Sequence, residues 1–154
     1  MAARSVTDRK RRSPHAQLTR MRGLWPDFVP EVDKEIIIWT GTLRPFQAEW
    51  RIRVLWFWRT DERPYVQLLD PPLRPREGTE YADIPHLIYF AKNPALSALC
   101  LYDPDGGQWD PRMLIADTTI PWAADWLKFY EFWLYDGIWR GKSVGPESAA
   151  KIRA

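Results

Sequence analysis

The sequence predicts an α+β domain with an N-terminal helix, an antiparallel meander sheet and a C-terminal helix packed on that sheet. Three observations carry this. Leu18, Met21 and Trp25 recur at spacings of three and four, the period of one helix face. Residues 49–58 alternate, with Trp50, Ile52, Val54, Trp56 and Trp58 on one side and Arg51, Arg53, Leu55 and Phe57 on the other, as a half-buried strand does. Trp122, Trp126, Phe129, Tyr130 and Trp133 share one face of a last helix.

In chain order, the first helix covers residues 15–25 and stops at Pro26. Strands follow over 35–43, where Ile36, Ile37 and Ile38 are β-branched, then over 49–58 and 64–69. Pro45 marks the first turn between them, and the run from Thr60 to Pro64 marks the second. Pro71, Pro72 and Pro75 then exclude regular structure, so residues 74–94 read as a long irregular path with one short strand near 87–90. A brief apolar run at 98–102 holds the thiol and ends at the turn Asp103-Pro104-Asp105-Gly106-Gly107. In the last helix Pro121 suits the first turn and Gly137 the stop.

A length of 154 residues with 45% apolar content fits one core, and the ten Trp, six Tyr and six Phe supply much burial per side chain. Residues 1–13 carry no large apolar side chains except Met1 and Val6 and are expected to form a flexible basic arm. Residues 14–141 are the expected domain and 142–154 a flexible tail. Residues 1–23 hold seven basic side chains and one acidic one, which leaves a net charge of −4 for the rest. A nucleic-acid module is therefore disfavoured, although Arg9-Lys10-Arg11-Arg12 can meet phosphates or an acidic partner. The longest uncharged run, residues 93–102, is about half the roughly 20 residues that cross a bilayer, and no apolar stretch follows the basic N-terminus. A cytoplasmic protein that binds no membrane is expected.

One cysteine makes no internal disulfide and no multi-cysteine zinc site, and the two histidines by themselves make no metal site. No cofactor is expected, since Gly106-Gly107 lacks the spacing and lysine of a phosphate loop. Taken alone, Cys100 within ALCLY reads as a small apolar core residue. His86 reads as a hydrogen-bonded structural residue, and Asp103 as a turn former that can also orient a base or an amine. The tryptophan stripe of the last helix reads as core, not as a ligand box.

The assembled order is more specific. Pro85-His86, then Leu99-Cys100-Leu101, then Trp109-Asp110-Pro111 before a helix resembles the ubiquitin-conjugating enzyme (UBC-like) fold, in which a His-Pro-Asn region precedes a catalytic cysteine and a Trp-Ser-Pro follows it. TGTLRP (40–45), DPPLRPR (70–76), PHLIY (85–89), LCLYDP (99–104) and ADTTIPWAADWLKFYEFWLYDGIWRG (116–141) resemble the stand-alone conjugating-enzyme-like proteins of type II CBASS anti-phage operons. The likeness spans about residues 14–141.

That resemblance implies a cysteine-dependent acyl transferase. Cys100 is the implied nucleophile, holding as a thioester the C-terminal tail of the cognate cGAS/DncV-like nucleotidyltransferase and passing it to an amine to prime signalling. The acceptor is left open. A separate activating enzyme is one source of the acyl group; direct attack on a peptide bond of the tail is another, and it requires His86 as base. In the simple carrier His86 only shapes the loop beside the thiol. The family's amide next to His-Pro is absent, because Leu87 follows His86. Asn93 is then the nearby candidate for an oxyanion donor, with the N–H groups of Leu101 and Tyr102 as alternatives. Trp109 is expected to pack under the turn. The competing reading is an inactive UBC-fold adaptor that binds the same tail with Cys100 buried. Trp126→Ala is expected to cost about 3–5 kcal/mol of stability, as loss of a buried aromatic does, read from the denaturant midpoint.

Overall fold

Trp50, Ile52, Val54 and Trp56 turn one face of β3 (Trp50–Trp56) wholly inward, and that strand lies inside the sheet. In the computed structural model, which describes residues 11–101 and 108–141, β3 pairs antiparallel with β2 (Ile37–Leu43) and with β4 (Tyr65–Asp70). β2 pairs in turn with β1 (Val29–Val32), which gives the order β1-β2-β3-β4. The expected meander is present and gains β1 at its edge. No burial alternation marked β1 in the sequence, because all four of its residues are exposed, and Pro30 has no N–H for a central ladder. β2 starts at Ile37 instead of residue 35, because the Asp33 carboxylate accepts the N–H groups of Glu35 and Ile36 in a tight turn.

On the inner face Trp39 and Trp56 stack diagonally across β2 and β3, with ring centroids 6.4 Å apart. Trp50 meets Tyr130 at 5.4 Å, which seats α2 (Thr119–Asp136) on the sheet. The helix buries Ile120, Ala123, Trp126, Leu127, Tyr130 and Trp133. This corrects the expected stripe. Trp122 and Phe129 are only half-buried, because Ile120, Ala123 and Leu127 rotate the buried face away from them.

α1 (Pro14–Leu24) begins at Ser13, whose hydroxyl accepts the Ala16 N–H at 3.1 Å. Met21 is buried as the spacing predicts, Leu18 is half-buried, and Trp25 ends the helix as its C-cap. The unpredicted buried residue is Gln17. Its amide donates to the Met113 carbonyl at 2.9 Å and accepts the Ile115 N–H at 2.9 Å. Trp25 donates to the Ala116 carbonyl at 2.8 Å, and Arg20 forms a two-pronged pair with Asp117. α1 is thereby stapled to the segment that leads into α2.

The expected flexible arm, apart from residues 11–13, and the expected flexible tail lie outside the described residues, as do Tyr102, Asp103 and the Gly106-Gly107 turn. Gln17→Ala strands one buried donor and one buried acceptor and should lower stability by about 1–3 kcal/mol in denaturant unfolding. Thr19→Ala, exposed on the same helix, should change it by less than about 0.5 kcal/mol.

Candidate active site

After β4 the prolines keep the chain irregular, and α2 supplies the order that local hydrogen bonds do not. The Tyr130 hydroxyl accepts the Arg74 N–H at 2.9 Å and donates to the Arg74 carbonyl at 2.6 Å. Burial pushes its pKa up to about 12, so the proton needed for the second bond stays in place. A short 3-10 turn, Tyr81–Asp83, then leads to Pro85 and His86.

β5 (Leu87–Ile88) pairs antiparallel with β6 (Ala98–Leu99), Leu87 opposite Leu99 and Ile88 opposite Ala98. One step further along the same register His86 faces Cys100. The Cys100 N–H donates to the His86 carbonyl at 2.9 Å. The same carbonyl accepts the indole N–H of Trp126 at 2.9 Å, which ties the site to the helix core. His86 has φ 51°, in the left-handed region that costs a non-glycine residue about 1–3 kcal/mol. The two bonds to its carbonyl, about 0.5–1.5 kcal/mol each, are of the size to offset that cost. Its ring lies 5.3 Å from Trp139.

Cys100 is 3% exposed, so the thiol is covered in this conformation. Leu99 and Leu101 on either side of it line a cleft of about 300 Å³ with Pro64, Arg63, Trp109 and Trp122. Cys100 is not among the lining residues, as alternation along an extended segment directs neighbours to opposite faces. Trp109 packs against the core, and its buried indole N–H has no partner among the described residues. Burial pushes the His86 pKa down, so the imidazole is neutral at pH 7 and able to accept a proton. The described hydrogen bond between His86 and Cys100 is through the main chain.

The structure does not bring Asn93 to the thiol. Asn93 is exposed in the connection that closes the far end of the β5–β6 ladder, at the start of the 3-10 turn Pro94–Leu96. Ser97, fully buried, accepts the Phe90 N–H at 2.9 Å within that connection. Buried Gln67 of β4 holds the same connection by donating to the Leu96 carbonyl at 2.8 Å while accepting from Arg53. Asp103 falls outside the described residues, and of the two main-chain oxyanion candidates only Leu101 is described. Gln67 and Ser97 had no functional signal in the sequence, because a buried polar side chain leaves no periodic pattern, and Trp139 had none beyond its place in the 116–141 run.

Residues 17–146 match the protein family described as type II CBASS E2 protein. The chain belongs to that family. No curated protein matches it. The α+β arrangement of this CBASS E2 protein, with a helix at each end of a four-stranded antiparallel sheet, is consistent with an E2-like fold. Among the described residues no three His, Cys, Asp or Glu side chains come together as a metal site, and no helix is long and apolar enough to cross a membrane.

The depressed pKa of His86 has a definite pH signature. The unfolded chain, with a pKa near 6.5, binds the proton more readily than the folded one, so stability present above that value declines as pH falls through the folded value. The carboxyls of Asp110, Asp117 and Asp136, held low by hydrogen bonds from Arg112, Arg20 and Arg140, lose their contribution only nearer about pH 4. Wild-type protein should therefore lose thermal stability as pH falls below about 6.5, before those carboxyls protonate, and His86→Asn, which tolerates positive φ, should flatten that slope. An equal slope in both proteins counts against a half-buried neutral imidazole.

Proposed function

We propose that this CBASS E2 protein carries an acyl group on Cys100: the C-terminal tail of its cognate cGAS/DncV-like nucleotidyltransferase is held as a thioester and passed to an amine. The observation that carries this reading is the placement of the chain's one thiol. Cys100 follows β6 inside the family-matched span, with its own N–H tied to the residue that α2 holds in a left-handed conformation. An anchored backbone at the nucleophile is what a transfer site needs, since misplacement by about 1 Å costs on the order of a hundredfold in rate.

The chemistry balances without a cofactor in the direct version. The Cys100 thiol gives up its proton to a base, the sulfur attacks a peptide carbonyl of the tail, a C–S bond forms, and the C–N bond breaks as the departing amine takes a proton. An incoming amine then attacks the thioester carbonyl, the C–S bond breaks, and the thiol is regenerated. Neutral His86 is the histidine of the described site, so it is the base this version uses. In the alternative version a separate activating enzyme delivers the acyl group and His86 only shapes the loop. A reducing compartment, the cytoplasm, suits a lone thiol that must stay free.

One observation favours the adaptor reading instead: Cys100 is 3% exposed. Intact mass of the protein co-expressed with its nucleotidyltransferase separates the readings. Acyl transfer predicts a thiol-sensitive adduct in the wild type, a thiol-stable ester in Cys100→Ser, and none in Cys100→Ala, which should keep its fold. Loss of the adduct in folded His86→Ala selects the direct version. Stable co-purification with no adduct in any variant selects the adaptor.

A further inference from the structure

We propose that Trp139 is a positioning residue for Cys100, acting through His86. The proposal rests on the acyl-transfer reading and adds to it a part that lies beyond the end of α2. Gly137, with φ 79°, caps α2 and turns the chain back. Two guanidinium groups pin the reversal: Arg140 pairs with Asp136, and Arg76 occupies the space into which a side chain at Gly137 would project. Trp139 consequently folds onto the helix that has just ended. Its ring stands edge-on to Trp126 at 5.4 Å and lies 5.9 Å from Phe129. Gly141 permits this, because a Cβ there would stand 2.7 Å from the Trp139 indole nitrogen.

The third neighbour of Trp139 is His86, ring to ring at 5.3 Å. His86 is thus held at two ends, its carbonyl by the Trp126 indole N–H and its ring by Trp139. The two contacts do different things. A hydrogen bond to the carbonyl fixes the peptide plane, whereas the aromatic wall opposes rotation of the side chain and of the backbone φ that carries it. A histidine in the left-handed region has a more favourable extended conformation available, and relaxing into it moves the carbonyl that Cys100 bonds. Trp139 is the packing that opposes this relaxation, one residue removed from the thiol. The lowered pKa of His86 agrees with a half-buried ring that Trp139 partly shields from water.

The test uses the full chain with Trp139→Ala, Trp139→Leu and Trp139→Phe, and with Val54→Ala as a variant that weakens the core from the sheet side. Two rates are read: alkylation of Cys100 by iodoacetamide in the isolated protein, and formation of the acyl adduct at saturating nucleotidyltransferase. Loosening the site should move them in opposite directions. Trp139→Ala, or Trp139→Leu where alanine does not fold, should alkylate about tenfold faster or more, because local opening becomes easier. The same variant should form adduct about 10- to 100-fold more slowly with partner affinity unchanged. Trp139→Phe should restore both rates to within about threefold, and Val54→Ala should alkylate within about threefold of wild type. The proposal is overturned by alkylation of the Ala and Leu variants at the wild-type or Val54→Ala rate, or by adduct formation that is unchanged or faster. No adduct in the wild type sinks the acyl-transfer reading instead, and the alkylation rates still decide whether Trp139 holds Cys100.

Discussion

One carbonyl oxygen, that of His86, accepts both the Cys100 N–H and the Trp126 indole N–H, and the described arrangement of the site follows from that double acceptance. β5 and β6 contribute only two residue pairs, too few to form a stable ladder alone. The indole of Trp126 connects this short ladder to the helix core, so the backbone of Cys100 inherits the rigidity of α2. His86 takes a left-handed conformation while its carbonyl accepts both donors, and the ring of Trp139 lies against its side chain.

The same device recurs wherever the chain lacks regular structure. Gln17 holds the segment before α2, Gln67 holds the β5–β6 connection, and Tyr130 holds the proline-rich path after β4. Glu131 accepts the N–H groups of Ala48 and Gln47 at the turn before β3. Irregular backbone leaves some donors and acceptors without a local partner, and these side chains, each making two hydrogen bonds, satisfy several of them where water is excluded. These residues are the link between an aromatic core and a site built on loops.

A covered thiol and a transfer role are compatible on this scaffold. A cysteine at 3% exposure resists small reagents until the site opens locally, and local opening is easiest where a strand pair is short and next to an irregular path. The cleft beside Leu99 and Leu101 lies away from the thiol and is lined by residues of the β3–β4 turn, the Gln108-Trp109 pair and α2.

The sequence by itself determined the α+β class, the inward face of β3, both helices and the placement of the single thiol after a short apolar run. Periodicity reports which side of each element is apolar, and Pro and Gly report where elements stop. It did not reveal β1, whose residues are all exposed, or the half-buried state of Trp122, which depends on how α2 rotates over the sheet. Motif order brought His86 and Cys100 into one candidate site, but the contact between them, with Trp126 and Trp139 as supports, was decided by the tertiary structure. Trp126 stands 40 residues from His86 in the chain, and nothing local specifies whose donor will satisfy a buried carbonyl. That choice depends on which faces meet when the sheet and α2 close on each other, because a buried carbonyl bonds whichever donor the packing brings within reach.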